Sequence, residues 1–190
     1  MSNMVDPLVE RIGARIRAER DRRRWTLAEL AEESGVSRAM IHRIERGESN
    51  PTAVVLGKLS AAFRLSVATL LDPEDTRTER VRRTDSAPLW HDPGTGYTRR
   101  QVSAPGFPAE VAEIRLPAGA EVPYPAAAFA FHRQTVWVLD GHLTFHEGDT
   151  VHELGAGDAV ELGPPAPCVF VNATARECRY AVVLVRDEAP

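Results

Sequence analysis

The sequence predicts a multidomain protein of α and β parts: a five-helix domain over residues 1–71, a charged linker over 72–88, and a jelly-roll β-barrel over 89–190. Three observations carry this prediction. The stretch Leu27–Gly47, LAELAEESGVSRAMIHRIERG, reads as two short helices joined by a tight turn. The segment beginning at Asp72, DPEDTRTERVRRTDSAP, is polar, charged and bounded by prolines, and has little with which to build a core. From Leu89 onward, short alternating apolar runs are broken by Gly, Pro and Asp, and helical periodicity does not return.

Helix by helix, the signals are local. Asp6-Pro7 supplies a cap and a first-turn proline, and Leu8, Ile12 and Ile16 recur at i, i+4 behind it. Thr26 with Glu29 forms a capping box for the second helix. Gly35 suits a turn with positive φ, and Ser37 suits the N-cap of a third helix. Leu30, Val36, Ile41 and Ile44 then share one core, leaving Arg38, Ala39, His42, Arg43 and Arg46 outward as a basic face able to lie in a major groove. Asn50-Pro51 reads as the start of a fourth helix with Val55, Leu56, Leu59 and Phe63 buried. Ser66 caps a fifth that ends at Leu71.

In the second domain, eight strands are expected: Tyr97–Val102, Glu110–Leu116, Thr135–Leu139, His142–His146, Thr150–Leu154, Ala159–Leu162, Cys168–Asn172 and Arg179–Arg186. Turns fall at Gly141, at Glu147–Asp149 and at Gly155–Asp158. The hydrophobic connection Pro123–Phe131 could wall a ligand pocket or simply fill the barrel. Phe129, Phe131, His132, Gln134, Trp137, Phe145, Cys168 and Phe170 are the candidate pocket residues. His142, His146 and His152 read as solvated strand residues.

The net charge is −4, but residues 1–83 carry +3 and the remainder −7, so the positive charge sits with the helices. No apolar run approaches the roughly 18 residues of a membrane span. The first residues lack a secretory pattern, and Cys168 and Cys178 are too few for a disulfide framework. A cytoplasmic protein without a membrane partner is expected.

The helical half resembles the Xre (lambda-repressor-like) helix-turn-helix family over about Leu8–Leu71. The resemblance rests on Ala31, Gly35, Val36, Ile41 and Ile44, on IERGE, and on Asn50-Pro51-Thr52. It implies a DNA operator as partner, base reading by Arg38, Ala39 and Arg43, and groove or phosphate contacts by Ser37, His42, Arg46 and Asn50. It also implies a structural pair between Arg20 and Glu45. Arg22, Arg23 and Thr26 are expected at the DNA backbone.

The β half, through VWVLDGHLTF and ELGAGDAVELGPPAPCVFVN, resembles the cupin family over about Glu110–Val185. Metal-binding cupins carry H-x-H-x3-E-x6-G and G-x5-P-x-G-x2-H-x3-N motifs. Aligned on Gly141, Gly157 and Asn172, the four ligand positions here hold Ala128, Ala130, Gln134 and Cys168. Alanine donates nothing to a cation, so neither a metal nor another cofactor is expected. His132 would point to the same face as the nearest expected ligand, about 7 Å further along. Mononuclear iron epoxidases also join such a helical domain to a cupin, with His, Glu and His where this chain has Ala130, Gln134 and Cys168. An enzyme is therefore the disfavoured alternative. An antitoxin-like regulator controlled by a protein partner is another. The expected function is a homodimeric transcription regulator, a repressor, with a small-molecule effector in the β domain.

Overall fold

The computed structural model describes residues 6–71, 81–84, 87, 89–104 and 107–186, so the expected linker lies mostly outside the described residues. Five helices come first: α1 (Pro7–Arg22), α2 (Leu27–Ser34), α3 (Arg38–Glu45), α4 (Ala53–Phe63) and α5 (Val67–Leu71). Their ends follow from local chemistry. Asp6 accepts the Leu8 amide at 2.9 Å, Thr26 and Glu29 complete a reciprocal box, Gly35 turns at φ 63°, and Ser37 accepts the Met40 amide at 3.3 Å. Ile12, Ile16, Leu30, Ile41, Ile44, Leu56 and Leu59 fill the core. At Gly13 a Cβ would lie 2.2 Å from the Ile44 carbonyl oxygen, and this lets α1 cross close against α3.

The start of α4 differs from expectation. Thr52, not Asn50, is its N-cap, accepting the Val55 amide at 3.4 Å. A second acceptor comes from the other domain: Asp92 takes the Ala53 amide at 3.0 Å, placing a carboxylate at the positive end of the helix.

Ten strands follow among the described residues: β1 (Leu89–His91), β2 (Thr98–Gln101), β3 (Ala109–Leu116), β4 (Glu121–Tyr124), β5 (His132–Asp140), β6 (His142–Glu147), β7 (Thr150–Gly155), β8 (Ala159–Glu161), β9 (Cys168–Val171) and β10 (Cys178–Arg186). They form two antiparallel sheets, ordered β1-β2-β3-β10-β5-β8 and β4-β9-β6-β7. From β3 to β10 the chain alternates between the sheets except at the β6–β7 hairpin, and that is the jelly-roll topology. The two sheets face one another without a ladder joining them among the described residues, so the expected barrel is an open two-sheet jelly roll.

Two strands were not expected. β1 is only three residues long, and β4 contains Pro123, which an edge strand tolerates because its outer amides need no partner. The hydrophobic connection thus divides into β4 and a 3-10 turn over Ala126–Phe129.

The helices and sheets share one continuous core, running from Ile12 and Leu56 to Trp90, Phe145 and Tyr180. The seam between them is specific. Asn50 accepts the Trp90 indole N–H at 2.9 Å and donates to the His91 carbonyl at 3.1 Å. Glu110 accepts from the Ser66 hydroxyl and, at 3.1 Å, from Thr69. The Arg64 guanidinium sits 5.3 Å above the Phe131 ring. Gly57 allows α4 to meet β4, since a Cβ there would lie 2.6 Å from Tyr124 Cδ1.

Candidate nucleic-acid interface and β-domain pocket

Helix α3 has two faces because its apolar residues recur three apart. Ile41 and Ile44 are fully buried, and Ser37, Arg38, Ala39, His42, Arg43 and Arg46 are all exposed. The helix is anchored by more than packing. Arg20 of α1 grips Glu45 through two bonds of 2.7 and 2.9 Å and donates a third to the Trp25 carbonyl at 2.9 Å. The Glu45 carboxylate raises the Arg20 pKa further above its ordinary value, so this tether stays charged. On the exposed face, Arg43 approaches Met40 Sδ at 3.7 Å and Arg46 pairs with Glu48 at 2.5 Å. Both are long side chains at the surface, where such pairings are readily exchanged for other partners.

The arginines at the end of α1 are differently employed. Glu19 is 1% exposed and is surrounded by Arg15 at 3.1 Å, Arg22 at 3.0 Å and Arg23 at 2.7 Å. Arg23 also donates to the Phe63 carbonyl and stacks over the Phe63 ring at 4.9 Å, which ties α1 to α4. Both of its terminal nitrogens are thus engaged inside the protein. Arg22 remains mostly exposed. Thr26 is engaged with Glu29, and both ends of the Asn50 amide are engaged by β1, so Asn50 closes the seam between the helices and the sheet.

One pocket of the β domain opens between the inner faces of the two sheets and beneath the start of α5. Counting its mouth, it holds about 490 Å³ of empty space. Strand register decides its lining. Arg99, Ile114 and Tyr180 lie side by side across β2, β3 and β10 and point inward, followed by Val182 and Leu184. Phe170 and Tyr124 come from the opposite sheet, Ala128 and Phe129 from the 3-10 turn, His132 and Gln134 from β5, and Val67 from α5. Burial raises the pKa of Tyr97 and raises those of Tyr124 and Tyr180 well above the ordinary phenol value, so all three keep their hydroxyl protons. Tyr97 and Tyr124 meet hydroxyl to hydroxyl at 3.3 Å.

Of the eight expected pocket residues, Phe129, His132, Gln134 and Phe170 are brought together here. The other four lie elsewhere. Trp137 alternates with buried Val136 and Val138 and therefore faces outward, 48% exposed. Phe131 is exposed beneath Arg64. Phe145 is packed solid between Phe170 and His152. Cys168 is buried between β4 and β6, its thiol donating to the Ala166 carbonyl at 3.4 Å. Arg99, Tyr97 and Tyr180 were missed by sequence reasoning, although Tyr97, Arg99 and Gln101 alternate at period 2.

The cupin metal positions do not supply a donor set. Ala128 and Ala130 have no ligand atoms, and burial with the nearby Glu147 charge pushes the Cys168 thiol up to about 12, opposing thiolate ligation. Among the described residues, no three His, Cys, Asp or Glu side chains converge. His142 pairs with Glu153 at 2.7 Å, and His152 lies 3.4 Å from Glu147. Both cysteines are free. No helix among the described residues is long and apolar enough to cross a membrane.

The capped helix pair with its exposed basic second helix, followed by a jelly roll, defines a helix-turn-helix protein with an appended β domain. The comparisons with known proteins extend this. The helix-turn-helix family model HTH_3 matches residues 16–70. The transcriptional regulator SinR of Bacillus subtilis is 42% identical over 76 residues, covering 40% of this chain and 68% of SinR. The regulator SutR of Escherichia coli is 34% identical over 77 residues, again 40% of this chain but 43% of SutR, so the chain spans under half of that relative. Among solved structures, an HTH_3 family transcriptional regulator from Vibrio cholerae superposes with a TM-score of 0.76 at 21% identity, over 95% of this chain and 98% of that one, and so shares both halves of the fold. The chain belongs to the HTH_3 family of helix-turn-helix transcriptional regulators.

Proposed function

We propose that the protein is an operator-binding repressor whose β domain dimerises and takes a small-molecule effector. The observation that carries this reading is the exposed, basic and firmly tethered face of α3. Arg38 and Arg43 reach base edges from it, with Ala39 free to contact a thymine methyl. Ser37, His42, Arg46 and Arg22 hold the phosphates. Two copies reading half-sites about one helical turn apart give affinity and symmetry, and the outward Trp137 and Val185 of the six-stranded sheet support the β domain as the dimerising part.

An effector acts only through a difference in its affinity for two arrangements of the chain. The pocket supports such a difference because Val67 lines it from the helical half while every other lining residue comes from the β half. A non-catalytic role is supported by the alanines at the metal positions and by relatives that are themselves named as regulators.

The test is an anisotropy titration of the full chain against the DNA upstream of its own gene and a scrambled control, at fixed salt. Tight binding to the upstream fragment alone is expected. Equal, weak and salt-steep binding to both would count against an operator at that locus. Sedimentation of the free chain tests the dimer.

A further inference from the structure

We infer that the β-domain pocket takes a small organic carboxylate with an apolar body, its charge held by Arg99. The inference rests on the effector-pocket reading above and gives it a ligand class. Arg99 is 9% exposed, lies on the inner face of the long sheet and lines the pocket. Its Nε has no hydrogen-bond partner, and among the described residues no carboxylate stands within ion-pairing distance of the guanidinium. The groups that share the pocket with it are neutral: the Tyr97 hydroxyl, whose proton its charge acts on, and the protonated phenols of Tyr124 and Tyr180.

A buried guanidinium without a counter-charge is costly, and buried charges in folded proteins are normally paired. The Glu19 and Glu45 clusters show that this chain supplies carboxylates to its other buried arginine contacts. At Arg99 it does not. The missing anion is therefore expected from the ligand, and a planar carboxylate matches the guanidinium edge. The rest of the pocket sets the remainder of the molecule. Ile114, Phe129, Phe170, Val182 and Leu184 offer only apolar contact, and the phenol hydroxyls and Gln134 offer a few neutral hydrogen bonds. A bare inorganic anion would leave that apolar wall unused. A neutral ligand would leave Arg99 unpaired.

The experiment is calorimetry and thermal melting of the full chain with matched pairs of probes: benzoate against benzamide, and isovalerate against isovaleramide. Sodium chloride and inorganic phosphate serve as the bare-anion arms. Each titration is repeated on Arg99→Met and Arg99→Lys. The carboxylates are expected to bind at millimolar concentration or below and to raise Tm, with the amides weaker by about tenfold or more. Arg99→Met should lose the preference for the acid, and without ligand it should melt no lower than the wild type, because it removes an unpaired charge. Arg99→Lys should keep the preference in weakened form.

Acid and amide binding equally well would overturn the inference while leaving an effector pocket standing. Phosphate or chloride matching the carboxylates would overturn the apolar-body part. No response to any probe at millimolar concentration would overturn it outright. A marked loss of stability in both Arg99 variants would assign the arginine a structural role instead.

Discussion

Replacing Asn50 by alanine separates two roles that a residue at this place could have. In the structure its carboxamide closes the seam, accepting the Trp90 indole N–H at 2.9 Å and donating to the His91 carbonyl at 3.1 Å. Trp90 is 2% exposed, so the substitution strands an indole donor away from solvent. A buried donor left without a partner costs about 1–3 kcal/mol. Asn50 itself is only half buried, and water entering its place re-satisfies the His91 carbonyl, so the indole alone sets the loss at about 1–2 kcal/mol. Urea denaturation of the full chain followed by circular dichroism measures it directly. A double-mutant cycle with Trp90→Phe should return a coupling of about 1 kcal/mol, because each single change orphans the other's partner. The same Asn50→Ala protein should keep the salt dependence of DNA binding, whereas loss of a phosphate contact would flatten the log–log slope by about one unit. Unchanged stability together with a flatter slope would refute the seam assignment and restore Asn50 to the DNA surface.

Gly13→Ala should destabilise the helical half despite the helix-forming gain of about 1 kcal/mol, because the new methyl meets the Ile44 carbonyl oxygen at 2.2 Å and overpacking of this kind costs about 1–3 kcal/mol. A variant melting at or above the wild type would contradict the close crossing of α1 and α3. The two thiols, raised to about 12 at Cys168 and about 11 at Cys178 by burial first, should resist alkylation at pH 8 in the folded chain and react on unfolding. Their effect on stability has a definite sign. The unfolded thiols lose protons near pH 8.5 while the folded ones hold theirs, so stability falls as pH rises from about 8.5 through the folded values. A stability that climbs across that range would contradict the burial of both thiols.

The helix-turn-helix was legible because its signals are local. Asp6, Thr26 with Glu29, Gly35 and Ser37 each act within a few residues of where they stand, and Ile41 and Ile44 declare the buried face by spacing alone. The Arg20–Glu45 tether was implied by family resemblance and stands as two bonds in the structure. What escaped depends on contacts between distant segments. Thr52 displaced Asn50 as the α4 cap because Asp92, 39 residues from Ala53, supplies the other acceptor and Trp90 claims Asn50. The bonds of Arg23 to the Phe63 carbonyl and the Glu19 carboxylate likewise depend on the packing of α4 against α1, which no local pattern around Arg23 encodes.

In the β domain the β6–β7 hairpin is readable from Gly148 and the turn that passes the chain from β5 to the other sheet from Gly141, yet the facing of each strand follows from alternation and register together. Alternation within β5 sends Trp137 outward when Val136 and Val138 are inside, and the same rule on β2 sends Arg99 inward. Two adjacent arginines in Thr-Arg-Arg-Gln look like surface charge. Only the register with Ile114 and Tyr180 shows that one of them is in the pocket wall.

Sequence reading by α3 is put to the test by selecting binding sites from random double-stranded DNA with the wild-type chain and with Arg43→Ala in parallel. A two-fold symmetric consensus is expected for the wild type. The variant is expected to give the same consensus with preference relaxed at one base-pair position in each half-site, at a cost of about 1–3 kcal/mol on the full site. No enriched sequence for the wild type, or an identical consensus and affinity for Arg43→Ala, would contradict it.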